Sequence, residues 1–238
     1  MSIAETQIGK DGFRLRGTAM SRVDGFSDVV FGFALTLLVV ALEVPRTYAE
    51  LHANLLGFFP FAISFTLLIM IWFAHYRFFR RFGLHDDATI ALNAALLFVV
   101  LFYVYPLKFL FNLMLPTPNA ANIFSNAYQM RQLMVLYGLG FTVIYLLFAS
   151  LYGMGWRHRE ELQLNRLERA LTLYWLVDHL GVACVGLLSV IIAFLLPIEQ
   201  SGNAGWTFFA IAIVKTVHGT IGGRYLRRIR ASDAVGPA

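Results

Sequence analysis

Arg22, Asp24 and Asp28 stand in the segment Arg22-Val23-Asp24-Gly25-Phe26-Ser27-Asp28, directly ahead of an apolar run from Val29 to Val44. Ionisable side chains at the edge of a hydrophobic helix are costly to desolvate, so each needs a partner or a role. The run carries Thr36 in its middle and Glu43 near its end. Further polar groups interrupt later apolar stretches: Trp72 and His75, Asp178 and His179, Lys215 and His218. Such groups can tie helices together or pass protons along a relay through Asp28, His75 and Asp178. They are poorly arranged for catalysis. Ser-Lys, Cys-His and paired-Asp motifs with a supporting glycine loop are missing, as are phosphate-binding signatures. No His or Cys lies at ligand spacing from His75, so neither a metal nor a cofactor is expected, and the chain reads as a non-enzyme. Cys184 is the single cysteine, which rules out a disulfide within the chain and reads as a small buried filler.

These groups must be positioned by membrane helices. Hydrophobic residues make up 58% of the 238, and charged residues only 14%, against about 25% in soluble domains. Stretches near 26–45, 55–73, 88–107, 133–152, 171–196 and 206–223 reach the roughly 20 residues that a spanning helix needs. The last is the weakest, because Lys215 and His218 interrupt it. Pro106 and Lys108 mark a kink and a snorkelling cation late in the third. With six spans, 15 of the 19 basic residues fall on one side of the bilayer. By the positive-inside rule both termini are then cytoplasmic. The expected fold is an all-α integral membrane protein with six transmembrane helices per subunit. Residues 1–20 form a cytoplasmic N-terminal segment, 21–225 the transmembrane domain and 226–238 a cytoplasmic tail. The expected location is the plasma (inner) membrane, multi-pass. The 157–169 segment mixes Arg with Glu160, Glu161 and Glu168 at helical spacing and reads as a cytoplasmic helix extension with surface ion pairs.

Ser21 and Asp24 have the spacing of a capping box at the start of the first helix. At about 100° per residue, Leu37 and Val40 lie within roughly 40° of Phe33, with Thr36 on the same side. Asp28 points roughly 140° away from Phe33. The stripe therefore lines a pathway or packs on a neighbour or lipid, while Asp28 meets other helices. Arg22 serves as an anchor or as one half of an inter-helix ion pair, for which Asp178 is a candidate. His75 can reach Ser27 or Asp28 if the first two helices are antiparallel.

Together these residues resemble the transmembrane protein 175 potassium channels in their one-repeat prokaryotic form. The shared mark is an Arg followed four residues on by Phe-Ser-Asp and then an apolar helix with Thr-Leu-Leu, here Arg22, Phe26-Ser27-Asp28 and Thr36-Leu37-Leu38. Trp72-x-x-His75 in the second helix, and Asn93 and Pro106 in the third, are similar too. The resemblance covers the first half of the chain. It implies a homotetramer with the first helices around a central axis, conducting potassium ion across a lipid bilayer, with no nucleic-acid partner. It assigns the pore constriction to Phe33, Leu37 and Val40, selectivity to Thr36, and a structural network to Arg22, Phe26, Ser27, Asp28, Trp72 and His75. Glu43 is a candidate cation-concentrating group at the pore mouth. Phe33 departs from the isoleucine or leucine usual at the first constriction. The alternative reading is a proton-coupled secondary transporter using the Asp and His relay.

Overall fold

Ser21 and Asp24 do start the first helix. The Ser21 hydroxyl accepts from the Asp24 amide at 3.1 Å, and the Asp24 carboxylate accepts from the Ser21 amide at 3.1 Å. The computed structural model describes residues 7–40, 47–48, 52, 58–113 and 126–234. Among these are six α-helices: α1 (Arg22–Val40), α2 (Phe58–Phe82), α3 (Asp87–Leu113), α4 (Ala127–Arg157), α5 (Arg166–Leu195) and α6 (Ala210–Ala234). A 3₁₀ segment, Ile198–Phe209, leads into α6. The connection holding Pro116 to Asn119, and the side chains of Pro106 and Lys108, lie outside the described residues.

The fold is all-α, but the expected count of six transmembrane helices is corrected. Among the described residues five helical segments are long and apolar enough to cross a membrane, the last running from Ile198 through α6 to Ser232. The first helix is not among them. Its 19 residues include Arg22, Asp24 and Asp28 in the opening two turns, which dilutes a short apolar run.

Close approach sets the packing of α4 on α5. A Cβ on Gly138 would meet the Gly186 carbonyl oxygen at 3.1 Å, and one on Gly186 would meet the Gly138 carbonyl oxygen at 3.1 Å. Small residues at a crossing let two backbones touch, which is how membrane helices gain packing without a hydrophobic drive. Thr142 donates its hydroxyl to the Gly138 carbonyl at 2.7 Å, so its polarity is satisfied within α4. Cys184 is exposed on α5, facing outward instead of filling the core. The tight point of α6 is Gly222, because a Cβ there would collide with the Tyr174 ring.

The short α2–α3 turn is fixed by Gly83 at φ +59°, a conformation side chains resist. At its far end Asp86 caps α3 through the Thr89 hydroxyl and amide. Burial works against this carboxylate, but the Thr89 bonds and nearby His158 outweigh it and hold Asp86 below the usual carboxylate range. Glu160 pairs with Arg169 at 2.8 Å on the surface, as the mixed charges of that segment suggest. Glu168 departs from that pattern. It is fully buried and caps α5 reciprocally with Asn165.

Candidate functional site: two faces of the first helix

Two opposite faces of α1 meet different surroundings. Ser27, Phe31, Ala34 and Leu38 recur at helical spacing and are all buried against the bundle. Phe26, Val29, Phe33 and Leu37 form the opposing stripe, and they are 63%, 70%, 58% and 41% exposed. Large apolar side chains in an unbroken exposed row need a partner, a lipid or a pore to face. Gly32 beside Phe33 has nothing within 4 Å of where a Cβ would be. The Thr36 hydroxyl, also exposed, donates to the Gly32 carbonyl at 2.9 Å and so bonds back into its own helix. The side chain of Val40 and all of Glu43 lie outside the described residues.

The buried face carries a continuous polar chain. Ser27 donates to the Val23 carbonyl at 2.8 Å and accepts from the Asn93 amide nitrogen of α3 at 2.9 Å. The Asn93 amide oxygen then meets His75 Nε2 of α2 at 2.8 Å. Because Asn93 already donates through its nitrogen, its oxygen accepts, and the His75 proton sits on Nε2. His75 is buried between the rings of Phe31 and Phe79, at 5.4 and 4.6 Å. The chain links three helices with neutral partners, which costs less inside a membrane than a charge would. At the next residue of α1, Asp28 accepts from the Trp72 indole N–H at 2.8 Å. Trp72 stacks on Tyr76 in turn, with ring centroids 5.7 Å apart.

The structure thus brings Ser27, Asp28, Trp72 and His75 onto one helix junction. His75 reaches Ser27 through Asn93 and not directly. Phe26 and Arg22 do not join them. Phe26 lies on the exposed stripe, and Arg22 is exposed with no ion-pair partner among the described residues. The proposed Arg22–Asp178 pair is corrected, because Asp178 is buried on α5 and pairs with Lys215 of α6. His218 stacks on Tyr174 with centroids 4.2 Å apart, which further pins α6 to α5. The relay required by a proton-coupled transporter is not assembled either. Among the described residues Asp28 bonds Trp72, His75 bonds Asn93, and Asp178 bonds Lys215, with no hydrogen-bond partner in common.

Asn93 and Val29 belong to this junction and stripe as well. Asn93 entered only through the resemblance, although a carboxamide in an apolar helix must find partners and so signals a junction. Val29 belongs to the exposed stripe because it sits four residues before Phe33, one helical turn away.

The chain is similar to known proteins over the region that holds this geometry and beyond it. A family described as "Endosomal/lysosomal potassium channel TMEM175" matches residues 22–103, which contain both faces of α1 and the whole polar chain. A potassium channel of Marivirga tractuosa is 36% identical over 245 residues, covering 95% of this chain and 98% of the relative. A potassium channel of Chamaesiphon minutus is 34% identical over 93 residues, covering 36% of this chain and 46% of the relative. Among solved structures, a variant of the potassium channel MtTMEM175 bound to a nanobody–MBP fusion superposes with TM-score 0.81 at 34% identity. That match covers 92% of this chain and 100% of the other. A lysosomal potassium-selective TMEM175 homologue from Chamaesiphon minutus shares the fold at TM-score 0.53 and 23% identity, over 83% of this chain and 96% of that one. The expected plasma-membrane location is corrected by the first of these matches, since the family is described by an endosomal/lysosomal channel. Apolar helices require a bilayer without specifying which.

Proposed function

From the premise that this chain belongs to the TMEM175 potassium-channel family, we propose that potassium passes a constriction built by the exposed stripe of α1. The protein is a potassium channel, working by transport and not by catalysis, with the potassium ion and the lipid bilayer as its partners. Phe33 and Leu37 form the narrow part, and the resemblance adds Val40 to them. Residues 21–225 make up the channel domain. One observation carries this reading: α1 buries one face against its own bundle and leaves a row of large apolar side chains, including Phe33 and Leu37, without cover.

Four copies of the chain related by a closed rotation bring four such rows onto a common axis. Rings of phenyl and leucyl side chains then exclude water when close together and admit a hydrated or partly dehydrated cation when they separate. Thr36 borders the row, and its hydroxyl oxygen keeps a lone pair for an ion after bonding to Gly32. Glu43 concentrates cations at the mouth. Ser27, Asn93, His75, Trp72 and Asp28 act from the other face by fixing how α1 is rotated.

Leu37→Ala tests the constriction. Flux of potassium in liposomes rises, because a smaller side chain widens and wets the narrow part. Unchanged flux at equal protein insertion rejects a pore at this row. Asp28→Asn tests the division of labour, and is expected to impair assembly more than ion preference. An intact assembly with altered selectivity would reverse it. Cross-linking in detergent reports the subunit number, and a result other than four rejects the tetramer.

A further inference from the structure

We propose that the strap formed by Gln7 to Gly17 fixes the start of α1 against the ends of α2 and α5, and that Glu168 is the positioning residue through which it acts on ion flux. This inference rests on the pore reading given above.

The strap is built into the bundle. Its ends pair antiparallel, Ile8 with Arg14. At its tip Phe13 is fully buried, packed edge-on to Phe82 at 5.3 Å, with the guanidinium groups of Arg16 and Arg81 over its ring at 5.6 and 5.2 Å. Arg14 reaches the buried Glu168 carboxylate through its side chain at 2.7 and 3.0 Å and through its amide at 2.9 Å. Arg16 adds a further bond to the same carboxylate at 3.0 Å. Glu168 in turn holds the Arg14 guanidinium more firmly protonated than usual. Asp11 closes the ring by pairing with Arg81 of α2, and its carbonyl accepts from Arg230 of α6 at 2.8 Å. Two arginines converging on one carboxylate suit its four acceptor lobes. A solvated tail would show none of this.

The strap also ends in a way that restrains α1. The amides of Arg16 and Gly17 donate to the carbonyls of Arg81 and Arg80 at 3.3 and 3.2 Å. Those carbonyls belong to the last turn of α2 and have no partner within their own helix. A Cβ at Gly17 would collide with the Phe79 carbonyl oxygen, so only glycine lies flat there. From Gly17 to Arg22 the chain spans at most about 17 Å. The start of α1 is therefore leashed to the scaffold by a segment lying ahead of the residues that the family description matches, 22–103.

The test uses the full chain. Gly17→Val and Glu168→Gln are each purified, checked for folded protein by size exclusion, and exposed to trypsin, which cuts after Arg14 and Arg16 only when the strap is undocked. The same preparations are reconstituted in liposomes for potassium flux, beside Leu37→Ala. Both strap variants are expected to become cleavable and to shift flux per inserted protein by roughly tenfold. A role in stability alone would lower the melting temperature and leave flux per inserted protein untouched. If the strap is cleaved while flux stays within about twofold of the parent, the inference is overturned. It is equally overturned if the strap stays protected in both variants. If Leu37→Ala raises flux while the strap variants do not change it, only this inference falls. If Leu37→Ala has no effect, the pore reading falls and takes this one with it.

Discussion

The α1–α3 region and the α4–α6 region handle buried polarity in different ways. Around α1 the buried polar groups of Ser27, Asn93 and His75 are neutral and form a single chain of hydrogen bonds. Around α5 the hydroxyls of Thr172 and Ser189 bond to backbone carbonyls, and ion pairs are added to them: Glu168 with Arg14 and Arg16, Asp178 with Lys215. The spanning stretch of α5 is 50% buried, against 22% for that of α2 and 6% for the segment running through α6, so α5 is the centre of the packing. A close backbone crossing and ion pairs hold one geometry rigidly, because shifting either costs packing or strands a charge. A neutral hydrogen-bond chain along one face of a helix orients it at lower cost, and its other face stays free for function. The exposed stripe of α1 thus lies on a helix oriented by hydrogen bonds, beside a scaffold centred on α5.

The largest expected effect breaks the scaffold. Gly186→Leu forces α4 off α5 and is expected to cost about 3 kcal/mol or more, seen as lost monodisperse protein on size exclusion. A parent-like elution and melt would mean that the crossing does not define the second region. Next, Asn93→Leu strands the His75 ring and leaves Ser27 only its own bond to the Val23 carbonyl, at about 1–3 kcal/mol for the orphaned ring. A drop in melting temperature of the detergent-solubilised protein checks it, and an unchanged melt would show that the chain does not orient α1. Trp72→Phe removes a single donor and keeps the ring, so a smaller loss of about 1 kcal/mol is expected. If it equals the Asn93 variant, the Asp28 contact is as important as the buried chain. The smallest effect tests the hinge between α2 and α3. The folded state holds Asp86 below its ordinary value, so its contribution is present above that value and is lost as pH falls through the lower folded one. Asp86→Asn should melt slightly below the parent at neutral pH, and the gap should close in acid. A gap that persists at low pH would remove the carboxylate from the explanation.

Much of this was legible from residue types. Ser21 and Asp24 announced the start of α1, and counting angles put Phe33 and Leu37 on one side and Asp28 on another. Both depend on local helix geometry, which spacing encodes directly. The partners were less legible. Arg22 and Asp178 looked complementary by charge, yet Lys215 takes Asp178 because α6 packs on α5 and α1 does not reach it. Glu168 looked like one of several surface acids, although its spacing from Asn165 is that of a capping box, which Glu160 and Glu161 lack. It is buried because Arg14 and Arg16 arrive from about 150 residues away in sequence.

Sequence alone determined that this chain is helical, apolar enough for a bilayer, and provided with a polar-edged first helix bearing a bulky stripe. Those properties are sums and periods along the chain, readable without knowing any neighbour. Tertiary structure alone decided which face of α1 is buried, that Asn93 bridges Ser27 to His75, and that a strap ties the helix start to α5. Those are contacts between distant residues, and their energies depend on burial and distance, which exist only after the helices have packed.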